Sequence, residues 1–372
     1  MRRLSKIAAV ALVGALALAG CGSGSGSGSD SSDGGDAKSS STDACKAAKG
    51  DGPKVGLAYD VGGRGDQSFN DSAYKGMEKA ISDIDATCIE AKAAPDENDT
   101  IRAERLRTLA EGGYNPVIAI GFIYSPAAAT VAAEYPDTNF AVIDGYSTTI
   151  PKAPLKNLSD LVFTEEQGSY LVGVAAALKS KAKHVGFVGG THGDLIKKFE
   201  AGYTAGVKSI DPAIKIDVQY LTEDPNDGKT GFENPTGGKD AATAMYEAGA
   251  DVVYHAAGKS GLGVFDAVEA AGDGKWAIGV DSDQYLTVDD AQKPHILTSM
   301  LKRIDTAVFD YVQANADKDV TAGFVSYDLK SEGVGYSKSG GFVDDVADQI
   351  DAAADKIKSG EVVVPTDPAK VK

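Results

Sequence analysis

The feature that most constrains the fold of this chain is a regular alternation of short apolar segments with longer amphipathic ones between residues 54 and 280. The short segments resemble buried strands, and the longer ones carry apolar residues at helical spacing. Strands that alternate with helices favour parallel sheets joined by crossover connections. The pattern restarts near residue 168, and 372 residues are enough for two domains. We therefore predict an α/β protein with two lobes.

The predicted elements fall into two runs and a C-terminal remainder. In the first run we predict strands at 55–59, 87–93, 116–120, 139–143 and 161–163, and helices at 68–84, 100–111 and 127–135. In the second run we predict helices at 168–180, 195–210, 239–247 and 261–271, and strands at 184–188, 215–220, 251–255 and 276–280. The remainder contains strands at 295–300 and 361–365 and a helix at 343–358.

The first strand is followed by a glycine-rich loop and a helix, which predicts a ligand site. Ser68, with Asp71 three residues later, is expected to start the helix by accepting a hydrogen bond from a free N–H group. In open α/β sheets the carboxyl ends of strands and the loops after them line the ligand crevice. Asp60, Ser68, Phe69 and Asn70 are therefore expected at the site.

Two further stretches offer polar contacts at strand ends. Asp60 and Asp144 each follow an apolar strand, and a carboxylate can accept two hydroxyl protons from a ribose diol. The alternative, that both are loop or capping residues, stays open at this point. Gly258 and Ser260 lie in the segment AAGKSG, where a ligand could approach the backbone closely. This segment lacks the spacing of a phosphate-binding loop.

Charge and residue spacing exclude several kinds of function. The formal net charge is −17, whereas proteins that bind nucleic acid need a basic surface. The four histidines are scattered without the spacing of a metal site, and no serine lies in a nucleophile elbow. We therefore expect no nucleic-acid partner, no metal and no cofactor.

The N-terminus has the pattern of a bacterial export signal. Three basic residues precede an apolar run at 7–19, and the run ends in Leu-Ala-Gly-Cys at residues 18–21. This ending resembles a lipobox, so residues 1–20 are expected to be removed and Cys21 lipidated. The mature protein would then lie at the extracytoplasmic face of the cell membrane. The alternative is an ordinary secretory signal in which this cysteine is incidental.

Residues 21–53 contain mostly Gly, Ser, Asp, Ala and Lys, which predicts a flexible tether that cannot build a core. Cys45 lies near its end, and Cys88 opens the second predicted strand. If the first two strands are neighbours in a parallel sheet, a disulfide between these cysteines is feasible outside the cytoplasm. Two unrelated thiols are the alternative.

Six segments, spread over the chain after residue 53, carry a family resemblance. They read DQSFND at 66–71, FTEEQGSYLVGVAA at 163–176, KKFEAGYTAGV at 197–207, YHAAGKSGLGV at 254–264, GVDSDQ at 279–284 and TSMLKRID at 298–305. Together they resemble the basic membrane protein family of bacterial lipoproteins, which are nucleoside-binding subunits of ABC importers. The resemblance implies the type I periplasmic binding protein fold, with three crossings between lobes, placed near 160–166, 283–300 and 318–340. The first lobe would then comprise 54–163 and about 286–318, and the second 164–285 and part of 319–372.

The resemblance also implies roles for individual residues. Phe69 would stack on a base, with Phe232 of the second lobe on its other face. Asp281 and Lys302 would hold the sugar. The implied partners are a nucleoside such as inosine, adenosine or guanosine, an ABC permease, and the membrane through the N-terminal lipid.

Three alternatives remain beside this interpretation. The same fold could serve a sugar or a signalling ligand, and the protein could be a surface adhesin or sensor partner. A nucleoside-cleaving enzyme would need a general acid or an activated water near the glycosidic bond, and we find no residue set for that. We therefore expect a binding protein and not an enzyme.

Overall fold

The computed structural model describes residues 43–94 and 97–372. The predicted signal peptide, Cys21 and most of the predicted tether lie outside the described residues. The strands are β1 Lys54–Ala58, β2 Thr87–Ala91, β3 Val117–Ile120, β4 Phe140–Ile143, β5 Leu158–Phe163, β6 His184–Thr191, β7 Lys215–Thr222, β8 Val252–Ala256, β9 Trp276–Asp281, β10 Ile296–Lys302, β11 Gly323–Tyr327 and β12 Val334–Tyr336. The helices are α1 Ala44–Ala47, α2 Phe69–Ile84, α3 Asp99–Glu111, α4 Ser125–Glu134, α5 Glu165–Lys179, α6 Asp194–Ile210, α7 Gly228–Phe232, α8 Pro235–Glu247, α9 Leu262–Ala271, α10 Ile304–Ala316 and α11 Ala347–Lys358.

The strands form two sheets of six, one in each lobe. The first has the order β11-β5-β4-β3-β1-β2 and the second the order β12-β10-β9-β8-β6-β7. All neighbours are parallel except β12, which runs antiparallel to β10. The two sheets thus share one strand arrangement, and the predicted α/β fold with two lobes is confirmed.

Each sheet is covered on both faces, which explains why its central strands are apolar throughout. In β3, Ile118 and Ile120 join one buried cluster, whereas Val117 and Ala119 join another. Successive strand residues point to opposite faces, so one strand of four apolar residues contributes to two helix-covered cores. The same double burial holds for all eight residues of β6.

The chain crosses between the lobes three times, after β5, after β10 and between β11 and β12. The predicted second crossing at 283–300 is wrong, because β10 pairs with β9 in the second sheet. The predicted first-lobe segment 286–318 is therefore correct only for α10, which packs on α2. The packing there is close, since a Cβ at Gly76 would lie 2.3 Å from the carbonyl oxygen of Asp305.

Two other boundaries differ from the sequence prediction. Residues 361–365 form no strand, since their backbone joins neither sheet. The folded body includes residues before 54, because Cys45 of α1 is buried and forms a disulfide with Cys88 of β2. The amide of Ala44 also donates to the hydroxyl of Tyr74 at 2.7 Å, so the end of the predicted tether is fixed to the first lobe.

Across the described ranges, no helix has the length and apolar character needed to cross a bilayer.

Candidate functional site

A cleft between the lobes gathers eight of the ten residues predicted to bind a ligand. The first lobe contributes residues from the loops after β1 and β4 and from the start of α2, and the second contributes α7 and the ends of β8, β9 and β10. The eight are Asp60, Phe69, Asn70, Asp144, Phe232, Gly258, Asp281 and Lys302. Strand ends and following loops of both sheets thus meet at one cavity, as expected for a binding cleft in parallel sheets.

The loop before α2 is organised by Asp66, which the sequence analysis did not single out. Its carboxylate is buried and accepts from the backbone amides of Ser68, Asn70 and Asp71 at 3.0, 2.8 and 3.1 Å. It also accepts from the side-chain amide of Asn70 at 3.0 Å, which holds that amide at the cleft. Asp66 therefore satisfies the free N–H groups that helix starts carry.

The predicted capping role of Ser68 is wrong. Its side chain makes no capping bond with α2, because Asp66 already takes the amides at this end of the helix. The Ser68 hydroxyl instead donates across the cleft to Oδ2 of Asp281 at 2.6 Å. A second hydrogen bond links the same segments, since the hydroxyl of Ser282 donates to the Ser68 carbonyl at 3.2 Å. Ser68 consequently joins the lobes behind the cavity wall and does not line it.

A buried ion cluster occupies the end of the cleft near β10. Lys302 is 1% exposed, and its Nζ lies 2.6 Å from Oδ2 of Asp144 and 3.1 Å from Oε1 of Glu165. Burial opposes the charge of Lys302, but the neighbouring carboxylates outweigh it and raise the pKa of this ammonium above its ordinary value. Lys302 therefore stays charged, although it is surrounded by protein.

Aromatic rings enclose the same ammonium. The Lys302 Nζ lies 5.4 Å from the ring centre of Phe69, 5.0 Å from that of Phe163 and 5.5 Å from that of Phe199. At these distances a cation is attracted to the ring faces. Phe199 of α6 also lines the cleft and was not predicted from the sequence, because its helical spacing indicates only a core residue.

Phe232 enters the cleft from the second lobe, at the end of the short helix α7. Its ring packs closely on β6, since a Cβ at Gly190 would come within 2.3 Å of that ring. Gly258 lines the cleft next to it with a φ of +51°, a conformation that favours glycine. Phe69 and Phe232 thus reach one cavity from opposite lobes.

Ser260 does not line the cleft. Its buried hydroxyl accepts from the backbone amide of Asn234 at 2.8 Å. Asn234 follows α7 and caps α8 through its own side chain, which accepts from the amide of Gly237 at 3.0 Å. The structure therefore places Ser260 behind the segment that carries Phe232.

Four carboxyl groups in the cleft have raised pKa values, and burial is the main cause for each, including Asp66. Burial raises the pKa of Asp60 to about 7, although its Oδ1 accepts from the amide of Val61 at 2.7 Å. Burial likewise raises the pKa of Asp281 to about 7, against the opposing effects of Lys302 and Ser68. Burial also raises the pKa of Asp144, and Lys302 opposes that shift. Each carboxyl would be favoured in its ionised form by new hydrogen-bond donors from a ligand.

The cleft also offers acceptors that no described residue uses. Oδ1 of Asp144 and Oδ1 of Asn70 are buried without a hydrogen-bond partner among the described residues. Buried acceptors of this kind cost free energy unless they are paired, so a ligand with several donors would satisfy them. The arrangement suits a polar molecule with hydroxyl groups and a flat ring.

Comparison with known proteins agrees with this geometry. Residues 54–368 match the family model described as ABC transporter substrate-binding protein PnrA-like. The chain is 34% identical to a CD4+ T-cell-stimulating antigen of Listeria innocua over 84% of this chain and 88% of the relative. It is 31% identical to the ABC transporter nucleoside-binding protein BmpA of Lactococcus lactis over 84% of this chain and 89% of the relative.

A solved structure shows the same fold. The solute-binding protein of an ABC transporter system from Aeropyrum pernix superposes with a TM-score of 0.72 at 26% identity, over 85% of this chain and 94% of that one. The family binds substrates for transport, so the expectation of a binding protein and not an enzyme is confirmed. The match over most of the chain, together with the two-lobed fold and its cleft, establishes that this chain belongs to the PnrA-like family of ABC transporter substrate-binding proteins.

Proposed function

We propose that this protein captures a purine nucleoside between its two lobes and delivers it to an ABC permease. The observation that carries the proposal is that Phe69 of one lobe and Phe232 of the other line a single cleft that also contains Asp144, Asp281 and Lys302. Stacking of a base on an aromatic ring contributes about 1–3 kcal/mol per base. A pentose alone would not need two such rings, whereas a nucleoside uses both the rings and the charged groups.

The charged end of the cleft suits the sugar. Asp144 and Asp281 can accept hydroxyl protons, while the ammonium of Lys302 can only donate. The hydroxyls of a ribose are both donors and acceptors, so the same diol can bind both kinds of group. The presence of both acceptors and a donor at this end of the cleft supports a nucleoside over a ligand without hydroxyls. The name of the Lactococcus lactis relative also indicates a nucleoside ligand.

We further propose that Cys21 carries a lipid that holds the mature protein at the outer face of the cell membrane. The support is the sequence of residues 1–21, in which a basic start and an apolar run end at Leu-Ala-Gly-Cys. Replacing Cys21 with serine is expected to prevent lipidation and to release the protein or retain the uncleaved signal. An unchanged mature mass and membrane fraction in Cys21→Ser would contradict the anchor.

Native mass spectrometry of the mature protein, purified from its source under mild conditions, tests the ligand. We expect a bound species with the mass of a purine nucleoside, and calorimetry should then show tight binding of inosine, adenosine or guanosine. Ribose and free hypoxanthine serve as controls and should bind far more weakly, because each offers only half of the contacts. Tighter binding of ribose than of any nucleoside would contradict the proposal.

A further inference from the structure

We propose that Glu165 is a positioning residue of the nucleoside site, which orients the ammonium of Lys302 toward the ligand and links that orientation to the crossings between lobes. The inference rests on the function proposed above, because it assigns one more residue to that site. Glu165 begins α5 immediately after the first crossing, inside the segment FTEEQ at 163–167.

The contacts of Glu165 connect two lysines. Its Oε1 lies 3.1 Å from Nζ of Lys302, and its Oε2 accepts from Nζ of Lys198 at 3.1 Å. The side chains of Glu165 and Lys302 are each 1% exposed, so water does not screen their interaction. Lys198 keeps the second oxygen in place, and Glu165 therefore cannot turn away from Lys302 without losing a partner.

The geometry of an ammonium explains what this contact does. A lysine ammonium has three N–H donors on a flexible stem and no fixed direction of its own. Asp144 accepts one of them at 2.6 Å, and the carboxylate of Glu165 attracts the group from a second direction. With both carboxylates in place, an N–H donor remains for the cavity that Lys302 lines. Without Glu165, the ammonium is free to turn toward Asp144 and Asp281.

Glu165 acts through Lys302 and not by touching the ligand. It does not line the cavity that contains Phe69 and Phe232, but a neighbouring one that it shares with Asp144 and Lys198. The Glu165–Lys302 pair also joins two crossings, because β10 ends at Lys302 immediately before the second crossing. Rotation of the lobes about these crossings would move both partners, as in other hinged binding proteins.

The test compares Glu165→Gln with Glu166→Gln in the mature full-length protein, using calorimetry with inosine. Glu166 is the matched control because it is the next residue, is also buried, and forms no ion pair with any described residue. We expect Glu165→Gln to weaken inosine binding about ten- to a hundred-fold, because Lys302 loses one of the two carboxylates of its buried ion pairs. The control should change the affinity by less than about two-fold.

A double-mutant cycle separates positioning from a general structural role, because it isolates the coupling between two residues. If Glu165 acts through Lys302, adding Glu165→Gln to Lys302→Met should weaken binding by less than about two-fold further. Should the glutamine variant fail to fold, Glu165→Asp enters the same cycle, since it keeps the charge but shortens the side chain.

Two results would overturn the inference while wild-type protein binds inosine. The first is that Glu165→Gln binds inosine with wild-type affinity. The second is that Glu165→Gln weakens inosine binding by the same factor in the wild-type protein and in Lys302→Met. Failure of the wild-type protein to bind any nucleoside would instead overturn the proposed function itself, and this inference with it. The wild-type titration therefore distinguishes the two failures.

Discussion

Asp144 and Asp281 hold equivalent positions in the two lobes but make different bonds. Asp144 follows β4 and Asp281 ends β9, and these strands occupy the same place in their sheets. Both residues have a left-handed backbone, with φ of +60° and +63°, which aspartate tolerates better than most residues. Asp144 of the first lobe pairs with Lys302 of the second, whereas Asp281 of the second accepts from Ser68 of the first.

The comparison shows that both lobes place an aspartate with a left-handed backbone at the end of the equivalent strand, but that the two aspartates form different bonds. Each aspartate bonds across the cleft, so closure of the lobes and formation of the site depend on the same groups. The connection through Asp144 is an ion pair, and the connection through Asp281 is a hydrogen bond from a neutral hydroxyl. Removing the donors one at a time should therefore have unequal consequences.

The largest effect is expected from removing the donor to Asp144. Lys302→Met leaves the buried carboxylate of Asp144 without its cation and leaves Glu165 paired with Lys198 alone, and breaking a buried ion pair in this way costs about 3–5 kcal/mol. Inosine affinity, measured by calorimetry, should fall at least about a hundred-fold. Lys338→Met, which removes an exposed partner of Asp351, is the control and should bind as wild type. If Lys302→Met lost less than about three-fold in inosine affinity, the claim that this ion pair is needed for tight binding would be contradicted.

A second test uses pH to distinguish the two aspartates. The pKa of Asp281 is raised to about 7 by burial, and sugar hydroxyls form stronger hydrogen bonds with its ionised form than with its protonated form. Protonation therefore competes with the ligand, so affinity should fall as pH decreases through 7 and recover above it. Between pH 7.5 and 5.5 we expect a loss of about ten-fold or more. Asp60, whose pKa burial also raises to about 7, titrates in the same range, so Asp281→Asn should reduce this dependence and leave the part due to Asp60. Asp144→Asn should retain more of the dependence, because Lys302 at 2.6 Å opposes the rise in the pKa of Asp144. An equal reduction by both variants would show that the two aspartates do not differ in this respect.

The smallest effect is expected at Ser68. Ser68→Ala removes the hydroxyl that donates to Asp281, and a single neutral donor contributes about 0.5–1.5 kcal/mol. Inosine binding should weaken about two- to ten-fold by calorimetry, while Ser68→Thr, which keeps the hydroxyl, should lose less. Ser82→Ala on the exposed face of the same helix provides the control. A loss at Ser68 as large as that of Lys302→Met would remove the distinction between the two connections.

Much of the framework could be predicted because its signals are local. The apolar runs of β1, β4 and β9 identify buried strands, and residues after such strands reach the cleft of a parallel sheet. That reasoning predicted the positions of Asp60 and Asp144 from their own neighbourhood. The roles of Phe232, Asp281 and Lys302 came from family resemblance, since spacing alone does not pair residues of two lobes.

The remaining features depend on distant contacts. The strand at 296–302 has four apolar residues, Ile296, Leu297, Met300 and Leu301, and would suit either sheet, so its composition could not assign it to a lobe. Ser68 and Asp66 are both able to cap α2, and the choice between them involves Asp281, which lies 213 residues away. Glu165 and Glu166 are adjacent and chemically identical, and only the packing of α5 determines which one meets Lys302.

The measurement that tests the account most directly is calorimetry of Phe69→Ala and Asp281→Asn with inosine and its 2′- and 3′-deoxy analogues. Phe69→Ala should weaken all three ligands by a similar factor, because they present the same base, and a loss of about 1–3 kcal/mol is expected. Asp281→Asn should weaken inosine about ten- to a hundred-fold, and it should affect least the analogue that lacks the hydroxyl bound by Asp281. Wild-type affinity of Asp281→Asn for inosine, or equal losses for all three ligands in both variants, would contradict a site divided between base and sugar.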